Sequence, residues 1–205
     1  RLRPSEVGQA VDDQADAPAD LDHGDHGHEA HEAHEAHEAH ADHDHGAMDP
    51  HIWTSPPLVK AMGVSIRDAL ITLRPAQAAV FTANYERLAA ALDALDAEIR
   101  ARLAAVKDRR FMVFHPGWGY FADTYGLTQV AIEYEGKEPG ARALAALIDA
   151  ARATGVKVVL VQPQFSPRAA QQVAAAIGGR VESVDNLSPD LFGALRRITD
   201  LIAGP

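Results

Sequence analysis

Nine of the eleven histidines in this chain fall in one stretch, DHGDHGHEAHEAHEAHEAHADHDHG. They are His23, His26, His28, His31, His34, His37, His40, His43 and His45, with carboxylates interleaved among them. Imidazole is the commonest protein ligand for zinc and its neighbours, so imidazoles crowded among acids make a surface that captures borderline divalent cations. From His28 to His40 the stretch repeats H-E-A. On an α-helix a period of three drifts about 60° backwards per step, so the rings would spiral and only neighbours could chelate together. In a flexible chain the same spacing gives many weak, interchangeable sites, which suits capture and release.

The remaining two histidines are isolated. His51 stands in Asp49-Pro50-His51-Ile52-Trp53, and His115 in Phe114-His115-Pro116-Gly117-Trp118. A lone histidine is more often a satisfied surface or core side chain than a ligand. Position favours His115, which directly follows the first strand of a βα series, where parallel sheets bind ligands. Asp185 ends the fourth strand and is expected on the same edge. Two neutral imidazoles and a carboxylate are a zinc or manganese donor set, with a further position open to another residue or water. The plainer role for Asp185 is a helix cap, although Ser188 before Pro189 is better placed for that. Glu133, Glu135 and Glu138 read as a solvated acidic loop. Trp53, Trp118, Tyr120 and Phe121 read as core or cleft wall, because no basic stripe accompanies them.

The elements that must position these residues start near Met48. Residues 1–47 hold only Leu2, Val7, Val11 and Leu21 as large aliphatics and no aromatic residue. Too little apolar surface is available there to offset the entropy of ordering, so a disordered arm is expected before a domain of roughly 150 residues. Ser55-Pro56-Pro57 predicts a helix start, with apolar Leu58, Met62, Ile66 and Leu70 following and an end near Leu73. Arg74-Pro75 restarts a second helix whose stripe of Val80, Tyr85, Leu88, Leu92, Leu95 and Ile99 runs to Val106, close to 45 Å in all. Beyond it, strands are expected at Arg110–Phe114, Thr128–Ile132, Lys157–Val161 and Arg180–Val184. Helices are expected at Gly117–Tyr125, Pro139–Thr154, Ser166–Ile177 and Pro189–Ala203. Such alternation is the signature of an α/β fold with a parallel sheet and crossover helices. The chain divides into the arm (1–47), a segment and helix (48–74), a long helix (75–107) and a βα lobe (108–205).

Composition narrows the function. The formal net charge is −10 and no Lys/Arg cluster occurs, which argues against nucleic-acid binding. Cysteine is absent, leaving only nitrogen and oxygen donors for a metal. No apolar run of about 18 residues is present to span a bilayer. The chain shows no P-loop, no dinucleotide fingerprint, no paired nucleophile and base, and no H-E-x-x-H zinc-protease motif.

Four segments, taken together and in order, carry a resemblance: Asp49-Pro-His51-Ile-Trp-Thr-Ser-Pro56, Phe114-His115-Pro-Gly-Trp-Gly-Tyr-Phe121, Glu135-Gly-Lys-Glu-Pro-Gly140 and Val161-Gln-Pro-Gln-Phe-Ser-Pro167. Over roughly residues 48–205 the chain resembles the zinc-specific solute-binding proteins of bacterial ABC importers, the ZnuA-type metal-binding family. The resemblance implies two α/β lobes joined by one long rigid helix, with the metal held between them. It implies that His51 and His115 are ligands and that Asp185 matches the carboxylate some relatives offer from the second lobe. The histidine tract resembles the family's mobile loop, and Leu2-Arg-Pro-Ser-Glu-Val7 resembles the segment that follows a further histidine ligand. A complete first lobe would precede His51, so the chain reads as a fragment or as lacking most of that lobe, with one ligand absent.

The implied function is capture of Zn2+ as cargo in the periplasm by a monomer that passes it to an ABC permease and its ATPase. Binding needs neutral imidazoles and should weaken below about pH 6. The alternative is a metal buffer or chaperone in which the tract is the whole metal function. A metallohydrolase is least favoured, because no general base stands near the proposed ligands, and the chain is read as not an enzyme.

Overall fold

The computed structural model describes residues 49–133, 137 and 139–204. The expected arm, its nine histidines, Glu135 and Glu138 lie outside the described residues. A 3-10 turn at Ile52–Thr54 leads into α1, Pro56–Leu73, whose first two positions are prolines. Proline is favoured there because its missing N–H would have no helical partner and its φ is already helical. The helix ends where Arg74 N bonds Leu70 O and Pro75 follows.

The second helix differs from expectation at both ends. A 3-10 turn, Pro75–Gln77, precedes α2, which runs Ala78–Leu103 rather than to Val106. At 26 residues it is about 39 Å long. Its apolar stripe is also only half buried. Leu92, Leu95, Ile99 and Leu103 are enclosed, whereas Val80 is 57% and Leu88 39% exposed. The first half of α2 packs against α1, where Gly63 leaves room for the Tyr85 ring, and the second half lies on the body of the sheet.

That sheet has four parallel strands: β1 Arg110–Val113, β2 Thr128–Ala131, β3 Val158–Val161 and β4 Arg180–Ser183. Their spatial order is β2-β1-β3-β4. Between them run α3 Gly119–Tyr125, α4 Ala141–Thr154 and α5 Arg168–Ala176, with α6 Leu191–Ala203 last. The two central strands, β1 and β3, carry buried apolar residues on both sides, as a sheet covered by helices on both faces requires. Side chains alternate along a strand. Phe111, Val113 and Leu160 therefore join α2, α3 and α6 in one core, with Phe121, Leu195 and Ile198. Met112, Val159 and Val161 join α4 and α5 in the other, with Ala170, Val173 and Ile177.

Helix ends explain the remaining boundaries. Gly126 and Gly155 take positive φ just past α3 and α4, a conformation that costs an L side chain dearly. The last helix is capped by Asp190, which accepts from Gly193 N at 2.9 Å, and not by Ser188, whose hydroxyl takes Asp190 N instead. With Asp190 as the cap, Pro189 falls ahead of the helix rather than in it.

Candidate metal centre

Strand order places the two isolated histidines. The first crossover leaves β1 toward β2, and the chain then returns to build β3 on the opposite side of β1. Loops diverging from such a switch point leave a crevice at the carboxyl ends of the strands. His115 sits there, immediately after β1 and Phe114. The segment carrying His51 reaches the same place because α3 and the following loops hold it. Tyr120 Oη donates to Asp49 O at 3.1 Å, Thr124 Oγ1 donates to Ser55 Oγ at 2.8 Å, and Trp53 Nε1 donates to Asn186 O at 2.7 Å.

The result is a pair of imidazoles with centroids 5.3 Å apart and planes inclined at 78°. Each ring is oriented by a carboxylate. Asp49 Oδ1 lies 2.7 Å from His51 Nδ1 and also accepts from His51 N at 2.8 Å. Glu133 Oε2 lies 3.1 Å from His115 Nδ1. A carboxylate can only accept, so the ring proton belongs on Nδ1 and the Nε2 lone pair is left as a ligand. Phe165 stacks on His115 at 4.8 Å and 20°, and Trp53 meets His51 edge-on at 5.5 Å. The histidines are partly open, at 26% and 15% side-chain exposure for His115 and His51, while their carboxylates are enclosed. That suits a rim that admits a cation and shields the groups orienting its ligands.

Asp185 is placed differently. It follows β4, separated from β1 by the whole of β3, and its Oδ1 accepts from Gln164 Nε2 and Leu187 N, both at 2.9 Å. Among the described residues, no group of three or more His, Asp or Glu side chains converges to hold a metal. The structure thus unites His51 and His115 and leaves Asp185 bonded to its own loop and to Gln164 of the β3–α5 loop. Trp118, Tyr120 and Phe121 are buried core, as expected.

Glu133 corrects the sequence reading. Expected in a solvated loop, it is 4% exposed and faces His115. The signal was available in the strand pairing. β1 and β2 are in register at Val113 and Ala131, and two residues further on that register sets Glu133 opposite His115. Asp49 was also overlooked as a partner, although its place two residues before His51 lets one carboxylate reach both His51 N and Nδ1. A cavity of about 410 Å³ lies at the other end of the sheet, where Asp108 is its one acidic lining residue. It bears no relation to the histidine pair.

Comparison with known proteins agrees with this architecture. The model of the family described as zinc-uptake complex component A, periplasmic (ZnuA), matches residues 3–203. The chain belongs to this family. Among its relatives, the high-affinity zinc uptake system protein ZnuA of Brucella abortus (strain 2308) is 33% identical over 161 residues, covering 74% of this chain and 48% of the relative. The zinc-binding protein AdcA of Streptococcus pyogenes serotype M3 is 32% identical over 180 residues, covering 79% of this chain and 35% of the relative. The chain therefore spans half or less of the length of these relatives. Among solved structures, a crystal structure of ZnuA superposes with a TM-score of 0.75 at 39% identity, covering 77% of this chain and 62% of that one. A zinc-bound ZnuA deletion mutant gives 0.73, also at 39% identity, covering 77% and 60%.

Proposed function

We propose that this chain binds Zn2+ as cargo, as the substrate-binding component of an ABC zinc importer, and delivers it to the membrane permease. The observation that carries the proposal is the histidine pair, in which each Nδ1 faces a carboxylate and each Nε2 is left as a donor. Two neutral imidazoles suit zinc, and carboxylate–histidine–metal arrangements raise ligand basicity while fixing ring orientation. The names of the relatives, a high-affinity zinc uptake protein and a zinc-binding protein, support zinc as the ion. Asp185 would join the donor set through its other oxygen, since Gln164 and Leu187 N both bond its Oδ1.

In this reading residues 75–107 link the cleft segment of 48–74 to the βα lobe of 108–205, and the tract from His23 to His45 gathers cations at low affinity. The family's description supports a periplasmic setting and a carrier rather than an enzyme. No helix among the described residues is long and apolar enough to cross a membrane. We further read the carrier as a monomer whose permease is driven by its own ATPase.

Zinc titration calorimetry tests the reading on three proteins: the chain as given, the chain without residues 23–45, and that deletion carrying His51→Ala and His115→Ala. One tight site that survives the deletion and disappears with the double substitution is expected. Tight binding that vanishes with the tract alone would instead make the tract a buffer and the histidine pair structural.

A further inference from the structure

Asn186, one residue past Asp185, is 4% exposed. A buried amide costs free energy unless its groups are bonded, so where its bonds go is informative. Its side-chain Nδ2 donates to Gly117 O at 3.2 Å, two residues beyond His115. Its main-chain carbonyl accepts the Trp53 indole N–H at 2.7 Å, two residues beyond His51. One residue of the β4–α6 loop thus ties together the two segments that carry the imidazoles, which lie 69 and 133 residues away in sequence.

We propose that Asn186 is a positioning residue that fixes the spacing of the His51 and His115 rings. The proposal rests on the reading of that pair as the metal ligands. Packing at the turn supports it. A Cβ on Gly117 would stand 2.5 Å from Asn186 Nδ2 and 3.1 Å from Gln162 Nε2, so both amides press directly on the His115 turn. Gln162, itself 2% exposed, donates to His115 O at 3.1 Å, and Gly117 N closes on the same carbonyl at 2.8 Å. On the other side, Tyr120 and Thr124 pin Asp49 and Ser55 to α3, and Asn186 pins the middle of that segment through Trp53. Ligands held at a preset separation lose less freedom on binding, and the gain appears as affinity.

Two variants separate the halves of the link. Asn186→Ala keeps the main-chain carbonyl for Trp53 and removes the donor to Gly117. Trp53→Phe does the reverse. In the metal-free full chain, the nuclear Overhauser cross-peak between the His51 and His115 rings is expected to fall at least twofold in each variant. The methyl signals of Leu195 and Ile198 should stay in place. Parental cross-peak intensity in both variants overturns the proposal, and so does a loss that occurs only together with collapse of the core methyl dispersion. Cobalt titration of the same samples should show about tenfold weaker binding and a shifted visible absorption band in each variant, the scale typical of groups that orient metal ligands. A parent that binds no cobalt would count against the metal reading alone, because the cross-peak result does not depend on metal.

Discussion

Replacing Glu133 with Gln tests whether the carboxylate behind His115 contributes to metal affinity. The substitution keeps the shape and an accepting oxygen for Nδ1–H and removes one negative charge. A metal on Nε2 would lie about 7 Å from the carboxylate, adding a metal–nitrogen bond of about 2 Å and the width of the ring to the 3.1 Å hydrogen bond. At that distance a single negative charge and a divalent cation attract by about 1 kcal/mol in bulk water and about 5 kcal/mol at an effective dielectric of about 20. Glu133 is enclosed but His115 opens to solvent, so the true value lies between these limits. The expected loss is about 10- to 100-fold in zinc affinity, or about 1.4–2.7 kcal/mol. Competitive zinc calorimetry against a chelator, on protein lacking residues 23–45, measures it. Parental affinity in Glu133→Gln would refute the reasoning. A loss as complete as that of His115→Ala would refute it differently, by making Glu133 a ligand rather than a support.

Three further outcomes are expected. A methyl group at Gly119 would drive into the Asp49 carboxylate that orients His51, so Gly119→Ala should weaken zinc binding several-fold in the same titration, with a stability cost of about 1–3 kcal/mol. Burial, then the negative charge of Asp96, pushes the Tyr125 phenol far above the ordinary tyrosine range. Its folded pKa exceeds its unfolded one, so this contribution is complete below about pH 10 and declines above it by up to about 1.4 kcal/mol per pH unit. Urea melts from about pH 9 to about pH 11 should show that decline in the parent and lose this part of it in Tyr125→Phe. Leu195 is fully enclosed between α2, α3 and the sheet, and Leu195→Ala should cost about 2–5 kcal/mol by urea denaturation.

The sheet was readable because its central strands, β1 and β3, are short apolar runs, and strand–helix alternation leaves few topologies. The boundaries shifted where local chemistry outweighed pattern. Asp190 took the cap expected of Ser188, and Pro75 opened with a 3-10 turn. The stripe on α2 misled because periodicity reveals an apolar face but not whether anything covers it. Val80 and Leu88 continue that stripe and remain exposed. At the site, His51 and His115 stood out as isolated imidazoles next to recognisable elements. Their partners did not, because an acidic residue after a strand looks the same whether it faces water or a histidine. Only the pairing of β1 with β2 tells Glu133 apart from a solvated glutamate. Asn186 was equally silent, since its role comes from contacts that span most of the described chain.

The two hydrophobic clusters occupy opposite faces of the sheet, whereas His51 and His115 stand beyond the carboxyl ends of its strands and belong to neither. In the proposed metal site the donor rings thus stand outside both cores, and Phe165, which packs against the second core, stacks on His115. Exchanging His51 or His115 for a carboxylate or a thiolate would change which ion is preferred without opening a void in either core. On the proposed reading, the rim would serve as an exchangeable mount for other metals, and the four-stranded frame beneath it as a reusable support.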